Sequence, residues 1–193
     1  FNDKTVDGVP IRSFITTQSV KQLPEYLKEF ALDPEGWHLP GTSETFRLNE
    51  IDEEKDFHKV FYKDRWIKED LSQKKIKSGA KPLEQHLIVS FSPKYKSYQR
   101  KIRNGQIERA QKLIDTGNYK QRPKNQNDPH RFIVREKVTK DGEICSEEVV
   151  CLNTDAIMEE ERYDGFYAVC TNRNNMRVEE VVKINGKRWE IEE

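Results

Sequence analysis

The amino-acid sequence predicts a mixed α/β fold in which strands dominate the middle of the chain and helices its flanks. Short runs rich in β-branched and aromatic residues, such as Leu87–Phe91, are typical of buried strands. Apolar residues recur at helical spacing within Val20–Phe30. The Asp141-Gly142 pair lies between two strand-like runs and indicates a β-hairpin. These three patterns together predict a β-rich chain flanked by helices.

The first part of the chain is predicted to open with a strand at Ile11–Thr17, followed by the helix of Val20–Phe30. Pro24 is favourable in a first helical turn, so the regular part of this helix is predicted to start there. Two further strands are expected, at Thr45–Ile51 and Val60–Ile67. The polar, lysine-rich stretch Lys68–Lys81 is predicted to be a connection between strands.

After the strand Leu87–Phe91, a long basic helix is predicted to start at Ser92-Pro93 and to run to about Ile114. Its apolar residues form only a partial stripe, made of Tyr95, Tyr98, Ile102, Ala110 and Leu113. The predicted hairpin then pairs Phe132–Thr139 with Glu143–Leu152.

The last part of the chain is predicted to contain a short helix at Thr154–Arg162, capped by Thr154 or Asp155, and then a strand at Phe166–Thr171. A helix begins at Val178–Val182. The segment Lys187–Glu193 either continues this helix or starts another after Asn185-Gly186.

Charge is strongly segregated along the chain, although the formal net charge is zero. Residues 94–140 contain 14 Lys and Arg against 4 Asp and Glu, whereas residues 141–193 contain 6 against 14. A basic segment beside an acidic one is compatible with nucleic-acid binding, and two solvated faces that attract each other are the alternative. The candidate DNA-contacting residues of the basic helix are Lys94, Lys96, Arg100, Lys101, Arg103 and Arg109.

Other features limit the class of protein. No apolar run approaches the ~20 residues that a transmembrane helix needs, and no signal-peptide pattern is present. The chain begins with Phe1 rather than Met, so we expect a piece of a longer intracellular protein. Three cysteines without CxxC spacing are expected to be reduced and mostly buried. The histidines lack metal-ligand spacing and are expected to be structural: His38, His58, His86 and His130.

The most informative motif is the end of the chain, Asn185–Glu193, which reads NGKRWEIEE. It resembles the C-terminal signature of the DDE transposases of bacterial insertion sequences: a Tyr, two residues, an Arg, three residues, a Glu, six residues and a Lys. Arg188 and Glu192 occupy the Arg and Glu positions, whereas Asn185 stands where Tyr is expected. The Lys position lies beyond the last residue. Four further blocks look similar to the family, and they extend the resemblance over nearly the whole chain: Ala31–Trp37, Pro93–Ala110, Gln126–Ile133 and Tyr163–Asn172.

The spacing of this signature suits one face of a helix. At about 100° per residue, positions 185, 188 and 192 lie at about 0°, 300° and 340°. Such a face would present a carboxylate beside a cation, which suits metal-dependent phosphoryl transfer. From spacing alone, the alternative is an ordinary surface pair of Arg188 and Glu192, which stabilises a helix by only about 0.2–0.5 kcal/mol. Glu190 and Glu193 point away from this strip.

The resemblance implies a partial RNase H-like core with a β-rich insertion. Residues 1–40 would be the core segment that follows the second catalytic Asp. Residues 41–172 would be the insertion, with the basic helix near 93–114, and residues 173–193 the helical segment that carries the catalytic Glu. The first two catalytic Asp residues would lie upstream of Phe1. No metal is assigned to the carboxylates that lie in turn-like or insertion contexts: Asp52, Asp64, Asp128 and Asp164.

The same resemblance implies an activity. The intact enzyme would nick double-stranded DNA at transposon ends and join the strand to target DNA with two Mg²⁺ (or Mn²⁺) ions, as a homodimer on DNA in the nucleoid region of a bacterial cytoplasm. Glu192 would be a metal ligand and Arg188 a phosphate contact. Alone, this chain is expected to be inactive, because one carboxylate cannot hold a metal pair. The alternative is a non-catalytic remnant that binds DNA or a protein.

Trp66 is the candidate aromatic contact to DNA. Alternation along Val60–Ile67 predicts that Lys63 and Arg65 share one face of a strand and that Trp66 lies on the other. The indole then either stacks on an unpaired or flipped base or is buried in the core of the insertion.

Overall fold

The computed structural model of the chain describes residues 5–6, 9–10, 13–68, 84–120, 125, 127–137 and 148–191. The chain forms two compact units, Phe1–Tyr95 with Gly165–Glu193, and Lys96–Asp164. Strands on both sides of residue 40 belong to one sheet, and the predicted boundaries after residues 40 and 172 stay a prediction. No helix in these described ranges has the length and apolar character needed to cross a lipid bilayer.

The described residues form ten strands and four α-helices, of which α2 is 23 residues long. In chain order the strands are β1 (Thr5–Val6), β2 (Val9–Pro10), β3 (Ile15–Gln18), β4 (Trp37–His38), β5 (Thr45–Phe46), β6 (Phe61–Lys68), β7 (Glu84–Phe91), β8 (Ile133–Lys137), β9 (Glu148–Leu152) and β10 (Phe166–Thr171). The α-helices are α1 (Glu25–Leu32), α2 (Pro93–Asp115), α3 (Thr154–Glu161) and α4 (Val178–Ile191). The predicted mixed α/β class is confirmed.

A six-stranded antiparallel sheet organises the first unit, in the order β3-β10-β7-β6-β4-β5. A side chain reinforces the pairing of β3 with β10, because Oγ1 of Thr171 donates to the carbonyl oxygen of Phe14 at 2.7 Å. The backbone N–H of Phe14 in turn donates to Oδ1 of Asn172 at 3.0 Å. Contacts between residues near the two ends of the chain therefore hold this side of the sheet together.

Helices cover both faces of the sheet. On one face, the Phe30 ring of α1 lies 5.0 Å from Nζ of Lys63. Alternation along β6 turns Tyr62 toward the opposite face, where α4 packs. The core on that face consists of Tyr62, Ile88, Val169, Val181 and Val182. Coverage on two sides explains why β7 is buried from Gln85 to Phe91 and reads as an apolar run.

Three local predictions in the first unit have clear outcomes. The helix begins regularly at Glu25, directly after Pro24, and a 3-10 turn at Val20–Gln22 precedes it. The predicted strand over Thr45–Ile51 is wrong beyond Phe46, because Leu48–Glu50 forms a 3-10 turn. The last helix, α4, continues without a break through Asn185 and Gly186. Most of the predicted lysine-rich connection, residues 69–81, lies outside the described residues.

The second unit contains the greater part of α2, the hairpin of β8 and β9, and α3. The predicted hairpin is confirmed by antiparallel pairing from Ile133 with Leu152 to Lys137 with Glu148. Its Asp-Gly turn lies outside the described residues. The cap of α3 differs from the prediction, since the side chain of Asn153 accepts from the backbone N–H of Ala156 at 3.0 Å.

Candidate functional site

Trp66 is half-exposed on the face of β6 that α4 covers elsewhere, so its burial in a core is ruled out. Its exposed fraction is 45%, and the indole stacks on the imidazole of His86 with ring centroids 4.8 Å apart and planes 7° from parallel. The predicted alternation is confirmed, because the Arg65 guanidinium lies over the Phe30 ring at 5.2 Å, on the side of Lys63. Since His86 covers one face of the indole, the other face is the one available to a planar ligand.

A carboxylate contacts the imidazole of this aromatic pair. His86 is buried, and its Nε2 lies 2.5 Å from Oδ2 of Asp64. Asp64 is two residues before Trp66 in β6 and therefore shares its face of the sheet. With the proton on Nε2, the imidazole donates to the carboxylate, which fixes the plane of the ring that carries the indole. We call Asp64, His86 and Trp66 together the Trp66 stack.

Lys63 is buried on the opposite face of the same strand. Its Nζ donates to the carbonyl oxygens of Asp33 at 2.7 Å and Glu35 at 3.4 Å, and lies over the aromatic rings of Phe30 and Trp37. Burial lowers the pKa of Lys63 to about 8, and the nearby Asp33 carboxylate acts in the opposite direction. The ammonium therefore fastens the turn after α1 to β6 rather than facing solvent.

Five of the six predicted DNA-contacting residues of α2 reach the surface. Tyr98, with 59% exposure, and Ile102, with 46%, lie among them. Nε of Arg109 donates to the carbonyl oxygen of Gly105 at 2.9 Å within the helix. The five residues, all exposed except the half-buried Lys96, are Lys94, Lys96, Arg100, Lys101 and Arg109. Long cationic side chains of this kind suit contacts with phosphate oxygens.

Arg103 is the exception, because it belongs to the interior of the second unit. It is 4% exposed and donates from both terminal nitrogens to the two carboxylate oxygens of Asp164, each at 2.6 Å. A third bond reaches Glu161 at 3.3 Å. The hydrogen bond to Asp164 raises the pKa of Arg103. In this structure Arg103 is a structural residue and presents no group to DNA.

The face of α4 that carries the predicted catalytic strip begins at Asn185. This residue is 4% exposed, and its Nδ2 has no hydrogen-bond partner among the described residues. Arg188 lies one turn further along the helical backbone. Glu192 lies outside the described residues. Within the described ranges, no group of three or more His, Cys, Asp or Glu residues is arranged to hold a metal ion.

The sequence did not identify His86 and Asp64 as members of a site. Asp64 and Trp66 alternate on one strand, and that relation is visible in the sequence. The stack of Trp66 on His86 depends on the register between β6 and β7, which pairs these two residues. Residues 69–83 separate the two strands in the sequence, and a separation of this length does not specify a register as a two-residue hairpin loop does.

Comparison with protein-family models, with characterised proteins and with solved structures found no match for this chain. The assignment of a function therefore depends on the motif at the end of the chain and on the geometry of the residues above.

Proposed function

We propose that the chain is the C-terminal part of a DDE transposase, which nicks DNA at transposon ends and joins the strand to target DNA. The observation that carries this proposal is the continuity of α4 through Asn185 and Gly186. A break at Gly186 would have destroyed the helical relation between Asn185 and Arg188 on which the strip depends. The signature residues thus begin on a helix, at the spacing that the transposase family uses.

The open side of the six-stranded sheet also supports the proposal. Among the described strands, β3 pairs only with β10, and none of them pairs with its outer edge. The side chains of Thr16 and Thr17 are exposed there. An RNase H-like core would continue the sheet beside β3 with upstream strands, which in this family carry the two catalytic Asp residues.

In this proposal the residues of the chain have distinct tasks. Glu192 binds a metal ion, and Arg188 contacts the adjacent phosphate. The Mg²⁺ or Mn²⁺ pair of such a site activates the attacking oxygen and neutralises charge on the phosphate. The described residues contain no cluster that could hold the pair, and this chain supplies one carboxylate of three. The chain alone is therefore expected to be inactive.

DNA binding would use two surfaces. The exposed cations Lys94, Arg100, Lys101 and Arg109, with the half-buried Lys96, would contact the phosphate backbone. The open face of Trp66 would stack on an unpaired base at the transposon end, since stacking on an aromatic side chain is tolerant of base identity.

The test is a Glu192→Gln substitution in the full-length protein, which includes the residues upstream of Phe1. We expect transposon-end binding to be kept and strand nicking to be lost. An essential metal ligand contributes several kcal/mol to transition-state stabilisation, which is orders of magnitude in rate. Glu193→Gln is the matched control, because position 193 lies off the strip. Cleavage by Glu192→Gln within about threefold of wild type in Mg²⁺ would contradict the proposal, and binding without Glu192-dependent cleavage would favour the non-catalytic remnant.

A further inference from the structure

One edge of the sheet is only partly covered. Strand β6 is eight residues long, and β7 pairs with it along its whole length from Phe61 to Lys68. On its other side, the short β4 pairs with it at His38 and Tyr62. Among the described strands none lies against the outer edge from Asp64 to Lys68. Unpaired strand edges are positions at which another extended chain can add.

A pocket lies where β4 leaves this edge. Gly36, with a φ of 76°, lies in the turn that connects the end of α1 to β4. The space left beside β6 has a volume of about 390 Å³. Its walls include two rings, three carboxylate side chains and one lysine: Phe30, His38, Asp33, Glu35, Asp64 and Lys63. The volume of the pocket is large enough for one long side chain.

Charge in the pocket is negative and only partly compensated. The ammonium of Lys63 is directed at two backbone carbonyl oxygens, and the Glu35 carboxylate pairs with Arg47 on the exposed side. Oδ1 of Asp33 accepts the backbone N–H of Glu35 at 3.0 Å, and Oδ2 of Asp64 belongs to the Trp66 stack. The second oxygens of Asp33 and Asp64 have no hydrogen-bond partner among the described residues. They remain available to a cationic donor.

We propose that the open edge of β6 and this pocket bind an extended, basic polypeptide segment. The segment adds as a strand beside Asp64–Lys68, and one of its Arg or Lys side chains enters the pocket, whose lining residues include Asp33, Glu35 and Asp64. Main-chain hydrogen bonds give affinity in this mode of recognition, and a pocket for an alternate side chain gives specificity. Acidic lining residues select a basic polypeptide over an acidic one. The site shares Asp64 with the Trp66 stack, and it neither includes nor depends on the proposed catalytic strip.

The experiment uses three acetylated, amidated heptapeptides of alternating threonine and valine, titrated calorimetrically into the 193-residue chain. The first carries a central arginine, the second a central glutamate, and the third the central arginine with N-methyl groups on alternate backbone nitrogens. We expect the arginine peptide to bind at least tenfold more tightly than the glutamate peptide. The N-methylated peptide should not bind, because it cannot pair with the strand edge. Equal binding of all three peptides, or no binding of the arginine peptide, would overturn the proposal.

Two substitutions locate the binding site. Glu35→Lys and Asp64→Asn should each weaken the arginine peptide at least fivefold, whereas Glu44→Lys, on an exposed residue outside the pocket, should leave it unchanged. Glu35 is exposed, so its substitution tests the pocket even where loss of Asp64 disturbs His86. Amide hydrogen exchange should slow at residues 64–68 when the peptide is bound. Full affinity in Glu35→Lys would place the peptide elsewhere and refute the site.

Discussion

At the scale of single residues, a substitution of Trp66 can distinguish its contribution to folding stability from its proposed stacking on a DNA base. The indole is 45% exposed and rests on His86, so its removal leaves no closed cavity. We expect Trp66→Ala to cost less folding stability than the ~3–5 kcal/mol of a fully buried tryptophan. Under the proposed function, the same change would remove a stacking surface worth ~1–3 kcal/mol per base, and we expect it to slow end processing about 5- to 100-fold. End binding should be unchanged.

A cleavage assay beside a thermal melt checks this prediction, with Trp66→Phe as the control that keeps a ring on His86. A much lower melting temperature for Trp66→Ala, together with unchanged activity per folded molecule, would exclude the stacking role.

Lys63 gives the stability of the first unit a pH dependence. Its pKa is about 8 in the folded chain because of burial, whereas an ordinary lysine has 10.5. Between these values the unfolded chain binds more protons than the folded chain, so the contribution of Lys63 to stability rises with pH. We expect the unfolding free energy of wild type, relative to Lys63→Met, to increase from pH 8 to pH 10. Urea unfolding across this range measures it, and the exposed Lys183→Met should show no such trend.

At the scale of elements, helix α2 shows what a local pattern can predict. The Ser92-Pro93 start and the length of the helix follow from the sequence alone. The predicted apolar stripe is right at Ala110, which is fully buried, and wrong at Tyr98 and Ile102, which are exposed while Arg103 and Gln106 are buried. The partner that makes burial of Arg103 possible is Asp164, 61 residues later. No helical periodicity contains that information, because the compensating charge comes from another element.

The pair of Arg103 and Asp164 joins α2 to the turn that follows α3, and it should be costly to break. Removing one member of a buried ion pair leaves the other charge without compensation, which costs about 3–5 kcal/mol. We therefore expect Arg103→Met to lower the unfolding free energy by about that amount in a denaturant titration. Lys101→Met, at an exposed position of the same helix, should change it by no more than about 0.5 kcal/mol. A double substitution of Arg103→Met with Asp164→Leu should recover part of the loss.

At the scale of the whole molecule, charge segregation predicts weak DNA binding with a steep salt dependence. Each phosphate neutralised on duplex DNA adds about 0.9 to the slope of log affinity against log salt. Six cations of α2 remain at the surface once Arg103 is excluded, because the exposed Lys112 joins the five candidate residues, so this helix accounts for a slope of at most about 5.4.

Titrations at several salt concentrations measure this slope with a fluorescent duplex. Replacing Lys94, Arg100 and Lys101 together by Gln should lower it by about 2.7, whereas Lys183→Gln should leave it unchanged. A flat salt response in wild type would remove α2 from DNA binding.

The architecture could be predicted only in part, for a physical reason. Local signals specified the hairpin of β8 and β9 and the buried character of β7, because turn chemistry and apolar runs are sequence-local. The joining of β3 to β10 and of β4 to β6 in one sheet depends on pairing between distant segments. For the same reason the Trp66 stack, which requires the register of β6 on β7, was not visible in the sequence.

The pairing of β3 with β10 has a consequence for biosynthesis. Phe14, directly before β3, is hydrogen-bonded to Thr171 of β10, and these two residues are 157 residues apart in the chain. At about 5–20 residues per second, a ribosome needs roughly 8–30 s to make the intervening segment. During that interval β3 lacks its partner, and once β7 has been made, the side of β7 that will receive β10 lacks it as well. The nascent chain therefore has these strand edges unpaired until β10 has been translated, and unpaired strand edges template aggregation.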